Sequence, residues 1–226
     1  MTIDTIIVPQ GAEYKAVCRG LQQAGTNKIQ TLAIPIGTKK IVQTLANYSS
    51  KLDRAKNIVI VGLCGSLSEQ YSVGEAVLYR SCSNLDGGCL NLESELTTAI
   101  QKKLSVSLVN GITSDRIICQ TVEKQAFSKT YSVNVVDMEG YDYIQEFQAR
   151  NIQVAVMRVV SDGLTGDIPD LSKAIDPDGN LKSIPMATAF LKQPIAASRL
   201  IKGSLRGLNT LQKVTQQLHS LTENRK

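Results

Sequence analysis

The sequence predicts a single-domain α/β fold of three layers, α/β/α, around a central mixed, mostly parallel sheet. Three observations carry this expectation. Runs dense in β-branched and aliphatic residues alternate with helix-forming segments along most of the chain, the pattern of layered α/β proteins. A length of 226 residues suits one domain with one sizeable core. The aliphatic run from Ile152 to Val160 stops abruptly at Ser161-Asp162-Gly163, and this marks a strand end.

Strands are expected at 3–8, 29–36, 57–63, 75–81, 106–112, 132–136 and 152–160, where aliphatic density is highest. Helical patterns fall between them at 12–24, 38–52, 93–103, 122–130 and 138–150. The segment 162–185 breaks the alternation. It is rich in turn formers, including Asp176-Pro177-Asp178-Gly179, and reads either as a lid over a site or as a surface excursion. A C-terminal helix over 194–222 follows from Ile195, Ile201, Leu205, Leu208, Leu211, Val214, Leu218 and Leu221, spaced by threes and fours. Gly203 and Gly207 on that helix permit the close approach of a neighbour. No internal repeat is present, so residues 1–226 are expected to form one domain.

Hydrophobic content of 42% with 20% charged residues is that of a soluble globular chain. The five cysteines are scattered without paired spacing, and one histidine leaves too few ligands for a soft metal. No metal and no cofactor are expected, and reduced thiols suit a cytoplasmic protein. The N-terminus has no basic and apolar signal pattern, and no apolar run approaches membrane-spanning length. The net charge of +5 is concentrated at the C-terminus, where residues 192–226 carry seven Lys/Arg against one Glu. That face either contacts an anionic membrane surface or is a solvated helix face.

Two motifs place acids at strand ends. Val135-Val136-Asp137-Met138-Glu139-Gly140 and Met157-Arg158-Val159-Val160-Ser161-Asp162 both end aliphatic runs, where ligands bind in α/β sheets. On the residues alone, Asp162 is a general-acid candidate or an Asx-turn. Glu139 is a bidentate acceptor for vicinal hydroxyls or a helix-dipole acid. Met138 is a contact residue or core filler, and Glu13 is a base or a first-turn helix acid. Asp137 is expected to cap the following helix.

The pairing of Met138-Glu139 with Ser161-Asp162 resembles the nucleoside phosphorylase and nucleosidase superfamily. The likeness extends to Ile6-Ile7-Val8 leading into Gly11-Ala12-Glu13, to Gly37 after Ile34-Pro35-Ile36, to Val59 through Leu67 and to Val73 through Leu78. These parts are similar to the methylthioadenosine/adenosylhomocysteine nucleosidases in order and approximate spacing. Asp137-Met138-Glu139, Thr113-Ser114-Asp115-Arg116 and the long stretch after Asp162 look most like the hopanoid-associated phosphorylase branch.

The resemblance implies cleavage of the N-glycosidic bond of an adenosine-like nucleoside, with adenosylhopane as the substrate of that branch. It implies that Asp162 protonates the purine and Glu13 activates water. Glu139, Met138, Ser161, Ile117, Leu63 and Gly62 would contact the substrate. The implied partner is a small-molecule nucleoside, not a nucleic acid, and the implied assembly is a homo-oligomer, a dimer or larger.

Two departures stand out. Ile60 and Leu63 occupy positions where phosphorylases of the superfamily carry an arginine and a hydroxyl. Backbone N–H groups from Gly62 to Gly65, read as a glycine turn, offer the remaining anion cradle, and Arg116 or Arg158 could swing toward it. The sequence therefore favours water over phosphate, with phosphate as co-substrate the alternative. Ile117 stands where the nucleosidases stack a phenylalanine on adenine, which forfeits aromatic stacking. These losses leave a third reading open, a non-catalytic nucleoside-binding homologue. Dinucleotide binding at Gly62-Leu63-Cys64-Gly65 lacks the required fingerprint.

Overall fold

A computed structural model describes residues 2–26, 28–37, 39–176 and 179–222. The chain opens with β1 (Thr5–Pro9), α1 (Ala12–Gln23) and β2 (Gln30–Ile34). The helix expected over 38–52 is two short ones, α2 (Ile41–Asn47) and α3 (Ser49–Leu52), followed by β3 (Asn57–Ser66). Next come β4 (Ala76–Ser83), the short β5 (Cys89–Asn91), α4 (Glu95–Leu104) and β6 (Ser107–Thr113). Then α5 (Thr121–Tyr131), β7 (Val135–Asp137), α6 (Gly140–Ala149) and β8 (Gln153–Asp162) complete the sheet. The chain ends in α7 (Ser183–Lys192), α8 (Pro194–Leu218) and a 3-10 turn at His219–Thr222.

The sheet is mixed and mostly parallel, as expected. β1 lies between β2 and β3, parallel to both. β3 runs parallel to β8 from Asn57 to Gly65. β8 pairs antiparallel with β4, β4 parallel with β6, and β6 parallel with β7. β7 returns antiparallel to the end of β3, so the five strands β3, β8, β4, β6 and β7 pair in a closed ring. Among the described residues the ring leaves only β2 and β5 as edge strands, and it brings the ends of β3, β7 and β8 together.

Both faces of the central strands are buried, which explains why the sequence runs are continuous rather than alternating. Ile58, Ile60, Val154 and Val156 face a core shared with Tyr143, Ile144 and Phe147 of α6. Val59, Val61, Ala155, Met157 and Val159 face the opposite core, with Ala16 and Val17 of α1, Ile100 of α4 and Leu211 of α8. Each such side chain contributes about 1.5–3 kcal/mol by leaving water.

The expected glycine turn at Gly62 to Gly65 is strand instead. β3 continues to Ser66, paired with β8 and β7, with a register shift against β8 at Cys64/Gly65. Within the segment read as unstructured, Ile175 and Leu181 form an isolated bridge and α7 begins at Ser183. Residues 177 and 178 lie outside the described residues. α7 has no buried residue, and Ile184 and Leu191 are 81% and 84% exposed. Among the described residues no helix is long and apolar enough to cross a membrane.

Candidate active site

β1 ends at Pro9, and Gly11 takes a positive φ of 90° to start α1. This turn sets Glu13 in the first helical turn, where its Oε1 accepts the N–H of Leu63 on β3 at 2.7 Å. Beside it in the sheet, Arg158 on β8 is paired in register with Gly62 on β3. A Cβ at position 62 would come within 2.3 Å of Arg158 Nη1 and 2.9 Å of Glu13 Oε1. Glycine is therefore required there. It lets the arginine and the glutamate meet across the strand.

Arg158 is fully buried, and it organises the acids. Its Nη2 lies 2.9 Å from Asp137 Oδ2 and 3.4 Å from Glu139 Oε2, and its Nε donates to Asp137 Oδ2 at 3.1 Å. Burial alone would weaken the guanidinium charge, but Asp137 and Glu139 outweigh it and hold Arg158 charged. Nη1 is the one nitrogen of this side chain without a hydrogen-bond partner.

Asp137 caps α6 as expected, accepting from Gly140 N–H at 3.0 Å. The cap is only part of its role. It also accepts from Thr113 Oγ1 at 2.7 Å and Tyr79 Oη at 3.0 Å. With every lone-pair direction engaged inside the protein, Asp137 is a structural acid. Glu139 stands just before α6 rather than in its first turn. Its Oε1 accepts the Gly37 N–H at 3.1 Å, and burial pushes its pKa up despite the opposing pull of Arg158. Gly37 has a positive φ of 80°, so the turn after β2 presents its N–H to this carboxylate.

At the end of β8, Ser161 Oγ lies 3.1 Å from Cys64 O and 2.9 Å from Asp162 Oδ1, two acceptors sharing one hydroxyl proton. The other oxygen, Asp162 Oδ2, accepts from Lys124 Nζ of α5. α8 seals this corner, because Gly203 lies so close that a Cβ would come within 2.0 Å of Ser161 O. The close approach expected of Gly203 and Gly207 is thus onto the strand end of the same chain.

These elements enclose a cavity of about 600 Å³. Its floor includes Glu13, Leu63, Met138, Glu139, Ser161 and Asp162, and Ile117 and Ile118 form one wall. Leu181, Met186, Phe190, Ile201 and Leu205 give the far side an apolar rim. Of the residues selected from sequence, only Gly62 is absent from the lining; it lies beneath, under Arg158 and Glu13. Neither arginine held in reserve for an anion is free to serve. Arg116 reaches the cavity but pairs with Glu123, and Arg158 is locked by two carboxylates. The organising role of Arg158 and the presence of Lys124 were not foreseen. A lone charge within an aliphatic strand was the available signal for Arg158.

Electrostatics single out Glu13. Burial, and then the neighbouring Glu139 charge, raise its pKa to about 7, against the pull of the Leu63 N–H and Arg158. A carboxyl with that value exchanges protons near neutral pH, as a general base requires. Among the described residues no group of three or more His, Cys, Asp or Glu is arranged to hold a metal ion.

The sequence profile of the phosphorylase superfamily matches residues 21–184. No curated protein sequence matches the chain. The fold is similar to that of 5′-methylthioadenosine nucleosidase from Arabidopsis thaliana, with a TM-score of 0.69, 14% identity and coverage of 100% of this chain and 98% of that one. It is also similar to the Helicobacter pylori 5′-methylthioadenosine/S-adenosyl homocysteine nucleosidase, at TM-score 0.69, 12% identity and 97% and 99% coverage. Futalosine hydrolase of the same organism matches at TM-score 0.69 and 12% identity, over 96% of each chain.

Proposed function

The chain belongs to the phosphorylase superfamily, and from that premise we propose that it hydrolyses the N-glycosidic bond of an adenosine-like nucleoside. The observation that carries this reading is the convergence of Glu13, Glu139 and Asp162 on one cavity, with Glu13 poised at about 7. Breaking C1′–N9 builds positive charge on the sugar and negative charge on the base. Asp162 supplies a proton to purine N7, Glu139 holds the sugar hydroxyls, and Glu13 takes a proton from the attacking water. Met138 lies against the sugar, while Ile117 and Ile118 flank the base. The solved nucleosidases of similar fold are named for the same class of substrate.

Water is favoured over phosphate because Leu63 N–H is already bonded to Glu13 and Ile60 offers no charge. Arg158 Nη1 has no hydrogen-bond partner, but Arg158 does not line the cavity, so it gives the phosphorolytic alternative no anion site. The deciding assay is adenine release in phosphate-free buffer, with the sugar product identified. Release at full rate with free ribose supports hydrolysis. A rate that requires added phosphate and yields the 1-phosphate rejects it, and no release from any nucleoside supports a binding protein.

The apolar rim supports a large apolar 5′ substituent, of which adenosylhopane is the example the hopanoid branch suggests. The basic residues Arg199, Lys202, Arg206 and Lys213 of α8 support contact with an anionic membrane surface, and the bare apolar surface of α7 supports contact with a second subunit. A series of 5′-alkylthioadenosines tests the substituent: kcat/KM should rise with chain length, and a flat or falling series discards this part of the proposal.

A further inference from the structure

Lys124 is the one residue of α5 that is buried, and it is completely so. Burying an ammonium is costly unless its hydrogens are satisfied. Lys124 Nζ donates to Asp162 Oδ2 and to Gly163 O, the latter at 2.7 Å. The arrangement is held in place from outside. Thr121 N, at the start of α5, donates to Asp167 Oδ1 at 2.8 Å, and Gly166 N donates to Thr121 Oγ1 at 3.1 Å. The loop after β8 and the first turn of α5 are thereby one unit. Lys129, a turn and a half further along, is exposed, so the buried position of Lys124 reflects its partner rather than its residue type.

An ion-paired carboxylate has no proton of its own to give, whereas the ammonium bonded to it does. We propose that Lys124 is a positioning residue that loads the Asp162 carboxyl with the proton passed to the departing base. This rests on the reading of Asp162 as the acid of N-glycosidic cleavage. The proton moves from Nζ to Oδ2, and the carboxyl delivers it to purine N7. As C1′–N9 breaks, its electron pair passes into the base, and C1′ bonds the oxygen of water whose proton goes to Glu13. Glu13 returns that proton to solvent, and the neutral Lys124 amine recovers one from solvent once product leaves. The net reaction is nucleoside plus water to free sugar plus base.

The titratable groups that interact with the pair include Cys64 from β3, Cys119 ahead of α5 and Asp167 from the loop after β8. Glu69 and, from α8, Arg199, Lys202 and Arg206 line a second cavity that Asp162 borders. Burial pushes both thiols up, so neither adds charge near neutral pH. Asp167 is bonded to Thr121, and Arg199 of α8 donates to its backbone carbonyl at 2.6 Å. None of Cys64, Cys119 and Asp167 donates a hydrogen bond to Asp162.

The test compares Lys124→Met, Lys124→Arg and Asp162→Asn in the whole protein. Adenine release from 5′-methylthioadenosine is followed from the carboxylate to the amine pH region, with melting temperature and adenine binding measured alongside. Both lysine variants should lose about a hundredfold or more in kcat while KM and adenine binding change little. The deficit of the Met variant relative to the parent at the same pH should shrink as pH falls, because solvent can then supply the proton. That of the Arg variant should not, because a guanidinium keeps its protons. An Arg variant within about threefold of the parent would overturn the relay, since charge pairing alone would then suffice. If the Arg variant fails to fold, the Met profile decides, and a loss that is the same at every pH overturns it. Full activity in Asp162→Asn would instead sink the underlying reading of Asp162. Loss in Asp162→Asn with a parent-like Lys124→Arg would sink the relay alone.

Discussion

The Glu13 carboxylate and the Leu63 backbone N–H are joined by a 2.7 Å hydrogen bond between the first turn of α1 and the centre of β3. The bond uses the strand's own donor to fix a base over the cavity floor. With Glu13 raised to about 7 by burial and by Glu139, kcat/KM for base release should rise with pH through that value and level off above it. Glu13→Gln should lower the rate and remove this limb. A limb that survives in the variant would assign it to another group.

The same shift bears on stability. The folded carboxyl titrates near 7 against an ordinary value of 4.5, so the folded state binds more protons in between, and its stability falls as pH rises across that window. Glu13→Gln should abolish this fall. At alkaline pH the variant should be the more stable form, by at most about 3 kcal/mol, because solvent at the partly exposed residue weakens the effect. Denaturant midpoints measured below and above the window provide the check.

Asp162→Asn should reduce base release by about a hundredfold to ten-thousandfold, the usual worth of a positioned acid. Its melting temperature should fall as well, because Lys124 keeps its buried ammonium but loses the carboxylate it pairs with, so adenine binding is measured to show that the purified variant is folded. Unchanged turnover in the purified variant would take Asp162 out of the mechanism.

Arg158→Met leaves Asp137 and Glu139 buried without their cation, and should cost about 3–5 kcal/mol of stability. Arg158→Lys should not restore it, since one ammonium cannot reproduce the fork that spans both carboxylates. Thermal unfolding of the two variants tests this, and a parent-like melting temperature for either would contradict it.

Gly203→Ala drives a Cβ against the backbone oxygen of Ser161, at 2.0 Å. α8 or the strand end must shift, costing about 1–3 kcal/mol by overpacking and lowering kcat. Gly207→Ala meets the Leu63 Cδ2 methyl at 2.9 Å, a side-chain end that can rotate, and should be much milder. Similar losses in stability and rate for the two would mean that the Ser161 contact carries no special weight.

The strands were legible because aliphatic density survives whichever face is buried, and Ile152 to Val160 lies within β8 but for its first residue. α8 was legible from its apolar spacing. α7 was not, because Ser-Ile-Pro-Met-Ala-Thr-Ala-Phe is apolar without a helical period and follows a stretch of turn formers. β5 has only three residues and leans on β4 for its pairing, so no local pattern marks it. Glu139 and Asp162 were legible from their places at strand ends, whereas Glu13, in the first turn of α1, was picked out by the resemblance. Lys124 was invisible, since one lysine in a polar helix looks like any other until the fold brings Asp162 to it. The mistaken glycine turn has a physical origin as well: Gly62 and Gly65 are small to admit side chains from neighbouring elements, not to bend the chain.

The bareness of α7 also divides the protein by its tolerance for change. Substitutions at Arg158, Asp137 or Gly62 disturb the chemistry and the folded state together, so these positions have little freedom to vary. α7 contributes no buried side chain, yet Met186 and Phe190 shape the cavity rim. Its residues can be exchanged at small thermodynamic cost, which leaves the far end of the pocket open to adaptation while the bond-breaking end stays constant.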